Sequence, residues 1–299
     1  MFVVTGASGN TGSVVADRLL AAGKKVCGIS RSAEHLRRFE RLGGTVFVAQ
    51  LTDAEALTEA FRGAEGVYLM VPPDTTSSDI RGYQQAVTDA YAEALEKSHA
   101  KCAVALSSFG ADKAEGTGPV VGVHRMEERL SGISGLDVLF LRPGYFMENL
   151  LQQVGVIQHL GMVVGPLRPN LKLPMIAARD IGSYAAEALL RQDFRSGERR
   201  ELLGQRDLDM SEAASIIGMA INQSELSYTQ GHDDQIRAVM LQMGMSSDFV
   251  RLILEMAAAL NSGHMRALEE RTAANTTPTS FETFVEEEFL QCFHSRMAA

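Results

Sequence analysis

Eight residues near the start constrain this chain most: Thr5-Gly6-Ala7-Ser8-Gly9-Asn10-Thr11-Gly12. Glycines fall at Gly6, Gly9 and Gly12, directly after the strand-like run Phe2 to Thr5. They open a helical pattern, Thr11 to Ala22, striped by Val14, Val15, Leu19 and Leu20 and stopped at Gly23. In that setting the first glycine permits a tight turn. The second lets the backbone approach a pyrophosphate, and the third lets helix and strand pack closely. The helix N-terminus then offers free N–H groups and a partial positive charge to phosphates. The turn implies a dinucleotide site built from Thr5, Gly6, Ser8, Gly9, Asn10, Thr11 and Gly12.

The pattern continues as alternating strands and helices. Strand-like runs are Lys25 to Ser30, Val46-Phe47-Val48, Gly66 to Val71, Cys102 to Ser107 and Leu136 to Leu141. Helical patterns lie around 33–42, 53–62, 79–98 and 120–131, with Asp53 as an N-cap. Short apolar strands separated by helices require a sheet buried on both faces. The expected class is therefore α/β, a doubly wound parallel sheet of the Rossmann type.

After about residue 150 the pattern changes. Gly161, Gly165, Pro166, Pro169 and Pro174 mark loops. Arg179 to Arg191 reads as a helix, short strands are possible at 200–203 and 226–228, and the chain from 210 is mostly helical. Ser280 to Phe293 reads as a closing amphipathic helix, with Glu286-Glu287-Glu288 on a solvated face. The expected division is a dinucleotide-binding domain over 1–150, rejoined by 175–195. A smaller, interleaved, mostly helical substrate-side domain takes up 151–299.

The tip of the second strand selects the nucleotide. An acid there usually holds the ribose 2′-hydroxyl of NAD. This chain has Ser30-Arg31-Ser32 instead. A guanidinium pairs with a 2′-phosphate, which a carboxylate would repel. Ser30 and Arg31 therefore favour NADP(H) over NAD(H).

With these residues placed, the chain resembles the NmrA-like group of atypical short-chain dehydrogenase/reductases. The matching segments are Thr5 to Gly12, Ser30-Arg31, Gln50-Leu51-Thr52-Asp53, Ser107 to Ala111, His124 to Leu130 and Leu141 to Asn149. Pro278-Thr279-Ser280-Phe281 is a weaker match. The resemblance implies two lobes, with a nicotinamide facing the cleft between them. It places Gln50 and Leu51 beside the adenine, although the usual residue at position 50 is Asp. It places Val71, Pro72 and Pro73 along the cofactor. It sets Ser107, Ser108, Pro143, Gly144 and Tyr145 near the nicotinamide.

One expected motif is missing. Typical short-chain dehydrogenases use Tyr-x-x-x-Lys, in which the lysine lowers the tyrosine pKa for proton donation. None of Tyr68, Tyr83, Tyr91, Tyr145, Tyr184 and Tyr228 has Lys four positions on. The candidate catalytic groups are Tyr145, His124 and Ser107. Each also has a plain reading: a packed aromatic, a helix-surface residue and a strand-end hydroxyl. One functional reading is an NADPH-dependent reductase of a small, flat, apolar acceptor such as a quinone. Such an acceptor needs no dedicated acid. A second is a non-catalytic NADP(H) sensor acting through a protein partner. A third is a biosynthetic reductase of imines, enones or azo compounds.

Composition narrows the partners. The net charge of −9 disfavours nucleic acid. No apolar run reaches about 18 residues, so no membrane span is expected. Met1 leads straight into a strand, and no leader is read. Cys27, Cys102 and Cys292 form no CxxC pair and suit a reducing cytoplasm. The seven histidines are scattered, so no metal is expected. Met240, Met243, Met245, Met256 and Met265 fill either the core or an adaptable apolar pocket wall. A homo-oligomer or protein partner stays open.

Overall fold

The computed structural model describes residues 1–297, leaving the last two residues of the expected second domain outside. Its first half alternates strands and helices. In order these are β1 (Phe2–Thr5), α1 (Asn10–Ala21), β2 (Val26–Ser30), α2 (Arg37–Arg41), β3 (Thr45–Val48), α3 (Ala54–Phe61) and β4 (Gly66–Leu69). Next come α4 (Ile80–Ser98), β5 (Cys102–Leu106), α5 (Val120–Ser131) and β6 (Asp137–Pro143). The second half holds β7 (Tyr145–Phe146), α6 (Val154–Leu160), β8 (Val163–Gly165), β9 (Leu173–Ile176), α7 (Ala178–Arg191), β10 (Glu198–Leu202) and β11 (Asp207–Leu208). It ends with α8 (Met210–Ala220), β12 (Tyr228–Gln230), α9 (Asp233–Gln242), α10 (Ser247–Ser262), α11 (Phe281–Phe284) and α12 (Leu290–Met297).

Seven strands form one sheet in the order β10-β6-β5-β4-β1-β2-β3, and every pairing in it is parallel. This is the doubly wound sheet the alternation predicts. Side chains alternate between its two faces. Val3, Cys27, Val67 and Ala103 pack under α3, α4 and α5. Phe2, Val4, Val26 and Tyr68 pack under α1 and α7. Both faces are covered, so strands such as β1 and β4 are wholly buried.

The structure corrects the sequence reading in several places. The strand expected at 200–203, assigned to the second half, is β10, and it pairs with β6 as the seventh strand of the main sheet. Its sequence, Glu-Arg-Arg-Glu-Leu, hides this place in the sheet because its charged residues are used in ion pairs. The helix expected around 33–42 splits into a 3-10 turn, Ala33–Leu36, and α2. The strand expected to reach Val71 stops at Leu69, because the Met70 N–H turns to donate to the Thr5 hydroxyl at 3.0 Å. The strand expected at 226–228 lies at Tyr228–Gln230, beside β8.

The second lobe is helical but also carries two small sheets, β11-β9-β7 and β12-β8. Its core joins Met147, Leu150 and Val154 to Ile217 of α8, Ala257 and Leu260 of α10, and the closing run Phe281, Phe284, Phe289 and Phe293. That closing run contains a π-helical turn over Val285–Phe289. Thr279 anchors it on α7: its N–H and hydroxyl donate to Asp180 at 3.0 and 2.7 Å. Of the acidic triplet, only Glu286 faces solvent alone; Glu287 and Glu288 face Arg179.

Helices α1 and α7 meet at glycine. A Cβ at Gly182 would stand 2.7 Å from both the Thr11 carbonyl oxygen and the Val14 Cβ. Replacing Gly182 by Val is expected to cost about 1–3 kcal/mol by overpacking this contact. Urea denaturation measures it; an unchanged midpoint would mean that α7 has room to move off α1.

Candidate active site

All seven strands of the main sheet run the same way, so their C-terminal ends share one edge. In open α/β sheets ligands bind outside that edge, where the strand order reverses. Here the reversal lies between β1 and β4. The predicted segments fall on this edge: Thr5–Gly12 after β1, Ser30-Arg31 after β2 and Gln50-Leu51 after β3. They continue with Val71-Pro72 after β4, Ser107-Ser108 after β5 and Pro143–Tyr145 at the end of β6.

The glycine turn is tightly built. Gly6 has φ +62°, in the left-handed region. Its carbonyl accepts the Gly9 N–H at 2.8 Å and lies 2.2 Å from where a Cβ on Gly12 would stand. The first helical bond of α1 runs from the Ser13 N–H to the Gly9 carbonyl at 3.0 Å, so the preceding amides lie outside the ladder. Gly9 caps α1 with no side-chain bond, and the first turn holds no acid. This cradle fits a pyrophosphate: open donors, positive dipole, no competing carboxylate. Ser8 and Asn10 are exposed beside it. Thr5 and Thr11 are buried and serve the frame. The Thr5 hydroxyl donates to the Tyr68 carbonyl at 3.0 Å, and Tyr68 Oη donates to Thr11 Oγ1 at 2.8 Å.

Arg31 is exposed at the tip of β2, and Ser30 is half-buried beside it. Arg31 lies near Asp74, in the loop after β4. The Thr76 hydroxyl, at 2.9 Å, and to a smaller extent Arg31 hold the Asp74 carboxyl below its usual range. Gln50 is exposed and Leu51 buried, so only the former offers a polar group to a ligand. Val71 and Pro72 are partly exposed.

On the other side of the reversal, Ser107 is engaged. Its hydroxyl reaches Glu127 Oε1 on α5 at 2.6 Å. Glu127 also accepts Arg142 Nε at 2.8 Å and Arg142 NH2 at 2.6 Å, and Arg199 Nε at 2.8 Å. Glu127 is 1% exposed and Arg142 7%. Opposite charges buried at this depth hold each other in place. Neighbouring Glu201 accepts the Leu268 and Glu269 N–H groups at 2.8 Å each, which fastens the C-terminal segment to β10. Sequence reasoning gave none of these four charged residues a role. The available signal was a charge inside the apolar run Leu139 to Pro143.

Ser108 is half-buried, with its hydroxyl on the Phe109 carbonyl at 2.9 Å. His124 sits one turn before Glu127 on α5. Its Nδ1 meets the Ala111 carbonyl at 2.8 Å, so that nitrogen carries the proton, and Nε2 lies 3.5 Å from Glu128. His124 is thus tied to the loop after β5 and to its own helix.

The Pro143–Asn149 segment passes close to β9. A Cβ on Gly144 would lie 2.3 Å from the Pro174 carbonyl oxygen, so only glycine admits this approach. Pro143 is buried, and Tyr145 is half-buried next to it. Burial pushes the Tyr145 phenol up to about 12, against a small opposing effect of Asn149. The phenol therefore keeps its proton at neutral pH and acts as a hydrogen-bond donor. Glu148, also unassigned from sequence, places Oε1 2.7 Å from the Ala178 N–H at the start of α7. Its Oε2 is buried and makes no hydrogen bond within the protein. Burial pushes this carboxyl up to about 7.

An apolar cluster backs the Tyr145 segment. Phe109, Met147 and Met265 are buried in one cluster, with Tyr145 and Met256 packed on it. Met243, by contrast, is 60% exposed. Of the five methionines, Met265 is core, Met256 is half-buried against it, and Met243 is surface.

The sequence matches the NmrA-like family over residues 1–286, and the chain belongs to that family. An NAD(P)H azoreductase from Xenophilus azovorans is 25% identical over 290 residues, 96% of each chain. Among solved structures, an NADPH-dependent quinone oxidoreductase from Escherichia coli, complexed with NADPH, superposes with TM-score 0.74 at 20% identity. That match covers 97% of this chain and 100% of the other. A Citrobacter triphenylmethane reductase complexed with NADP(H) gives TM-score 0.78 at 16% identity over 95% and 99%. These two likenesses establish the shared fold.

Glu148 makes stability pH-dependent. The ordinary pKa of 4.5 applies to the unfolded chain and about 7 to the folded one. Its protonated form is favoured by folding, so that contribution is complete below 4.5 and lost as pH rises toward 7. Glu148→Gln keeps an acceptor for Ala178 and cannot ionise. Its stability relative to the wild type should climb between those pH values by up to about 3 kcal/mol, then level off. Thermal melts across that range check it; a difference flat with pH would place the titration elsewhere.

Proposed function

We propose that this chain is an NADPH-dependent reductase that passes a hydride to a small, flat, apolar acceptor such as a quinone, without a Tyr-x-x-x-Lys pair. The observation that carries this reading is the convergence of the glycine cradle, Arg31 and the Ser107 and Pro143–Tyr145 segments on one sheet edge. The cradle amides bind the pyrophosphate and Arg31 pairs with a 2′-phosphate, giving the preference for NADP(H) over NAD(H). Gln50 and Leu51 flank the adenine. Val71, Pro72, Ser108 and Pro143 shape the channel toward the cleft. When bound, the reduced nicotinamide supplies the hydride.

The acceptor class follows from the apolar backing and the acids. Half-buried Tyr145 and Met256 pack on a buried cluster of Phe109, Met147 and Met265, which gives this end of the sheet edge an apolar backing. Tyr145 holds its proton too firmly to act as a ready acid, and the His124 ring is fastened to Ala111. An acceptor that becomes a stabilised anion after hydride addition needs only a donor such as Tyr145, with solvent completing protonation. Quinones meet that requirement. The azoreductase relative supports azo compounds as the next class to try. Two buried cysteines without disulfides, and no described helix long and apolar enough to cross a membrane, suit a cytoplasmic enzyme.

The test is NADPH oxidation followed at the nicotinamide absorbance against quinones, enones, imines and azo dyes, with binding measured on the same sample. Oxidation dependent on an acceptor is expected, strongest with quinones. Tight binding without oxidation by any acceptor would favour a redox sensor that reports through a protein partner. Arg31→Asp should weaken NADPH binding roughly 10- to 100-fold and leave NADH nearly unchanged. Equal weakening of both would remove the 2′-phosphate role.

A further inference from the structure

The Ser107–Glu127 contact fixes the direction of a hydrogen bond. Glu127 is paired with two guanidiniums, and a carboxylate in that position only accepts. Ser107 lies 2.6 Å from Oε1, so its single hydroxyl proton is committed to Glu127. What remains on Ser107 Oγ is a lone pair. A typical serine in such a site would donate to a substrate carbonyl; this one is left able only to accept.

The placement of Ser107 decides what it meets. The pyrophosphate cradle lies after β1, and the adenine side extends over β2 and β3. The other half of a dinucleotide must then extend over β4 and β5, where Ser107 directly follows the last residue of its strand. The donors on that half are the ribose hydroxyls, next to the cradle, and the carboxamide N–H2 of the nicotinamide, farthest from it and so nearest to β5.

We infer that Glu127 is a positioning residue that fixes the Ser107 hydroxyl as an acceptor for the nicotinamide carboxamide. The inference rests on the dinucleotide reading above. Its support is wide. Arg142 comes from β6 and Arg199 from β10, with Arg199 paired to Phe140 and Glu201 to Arg142 in strand register. Two strands thus hold one carboxylate of α5. Arg199 is itself held by the Gly197 carbonyl at 2.9 Å. A device of this kind acts on the ring amide: it favours one rotation of the carboxamide, and so one presentation of the ring to the cleft.

The experiment compares NADP⁺ with its 3-acetylpyridine analogue by isothermal titration calorimetry. The analogue replaces the amide N–H2 by a methyl group and keeps the carbonyl. The wild type should bind NADP⁺ about 5-fold more tightly than the analogue, the worth of one net hydrogen bond. Ser107→Ala should abolish that preference by weakening NADP⁺ alone, and Ser107→Thr should restore it. Glu127→Gln lets an amide N–H donate to Ser107 and frees the hydroxyl proton, so the preference should shrink or reverse. A fold that is merely loosened would weaken both ligands alike. A preference that survives in Ser107→Ala overturns the inference alone. A wild type that binds neither ligand overturns the dinucleotide reading and this inference with it.

Discussion

The close approach of α1 to the Gly6 carbonyl governs how everything else is placed. With a Cβ on Gly12 the helix would have to retreat, because that atom would fall 2.2 Å from the carbonyl oxygen. Without one, the N-terminus of α1 lies directly over the sheet edge. Thr5 then ties β1 to β4 through its hydroxyl, and Tyr68 reaches from β4 back to Thr11. The cradle is thereby fixed from both sides by buried hydrogen bonds. Helix α7 depends on the same geometry, since Gly182 packs on the Thr11 carbonyl. Glu148 carries the arrangement further by accepting the first N–H of α7, which links the Tyr145 segment to the helix behind the cradle.

A second set of contacts organises the opposite end of the sheet. β10 is rich in charge, yet it forms the edge of a parallel sheet because each charge finds a use. Arg199 goes to Glu127, Arg200 to Glu198, and Glu201 to the backbone of the segment after α10. Helix α10 reaches the first lobe directly. Arg81 of α4 pairs with Glu255 at 3.2 Å, and Asp248 accepts the Ile80 N–H at 2.9 Å. The lobes are therefore joined by polar contacts at the rim and by an apolar cluster beneath. That pattern leaves the sheet edge between them as the natural place for a ligand.

Much of this was legible in the sequence, and for identifiable reasons. The first six strands are apolar runs bounded by turns, so a periodicity argument finds them. The glycine turn is legible because steric rules make glycine necessary there. Asp53 caps α3 as its position suggests, accepting the Ala56 N–H at 3.0 Å. What was illegible depends on tertiary partners. A strand was expected at 200–203, but nothing in its charged sequence assigned it to the main sheet; only the pairing with β6 does. Glu127, Arg142 and Glu148 look like ordinary charges until burial shows that each is surrounded. Ser107 was picked out as a hydroxyl, but its direction is a property of Glu127, twenty residues away.

The protonation chemistry draws these strands of argument together. A Tyr-x-x-x-Lys pair works by bringing a phenol's pKa down toward neutrality. Here the surroundings of Tyr145 act the opposite way, because no cation offsets its burial. The Ser107 hydroxyl donates its hydrogen bond to Glu127, and His124 Nδ1 donates to a backbone carbonyl. Ser107 and His124 are thus each tied by a specific contact and Tyr145 is held by burial, while Glu148 is the carboxyl whose burial raises it toward neutrality. An acceptor whose charge is spread over an aromatic system makes a far smaller demand on the protein. The same contacts tie the end of β5, α5, β6 and β10 into one frame behind the sheet edge.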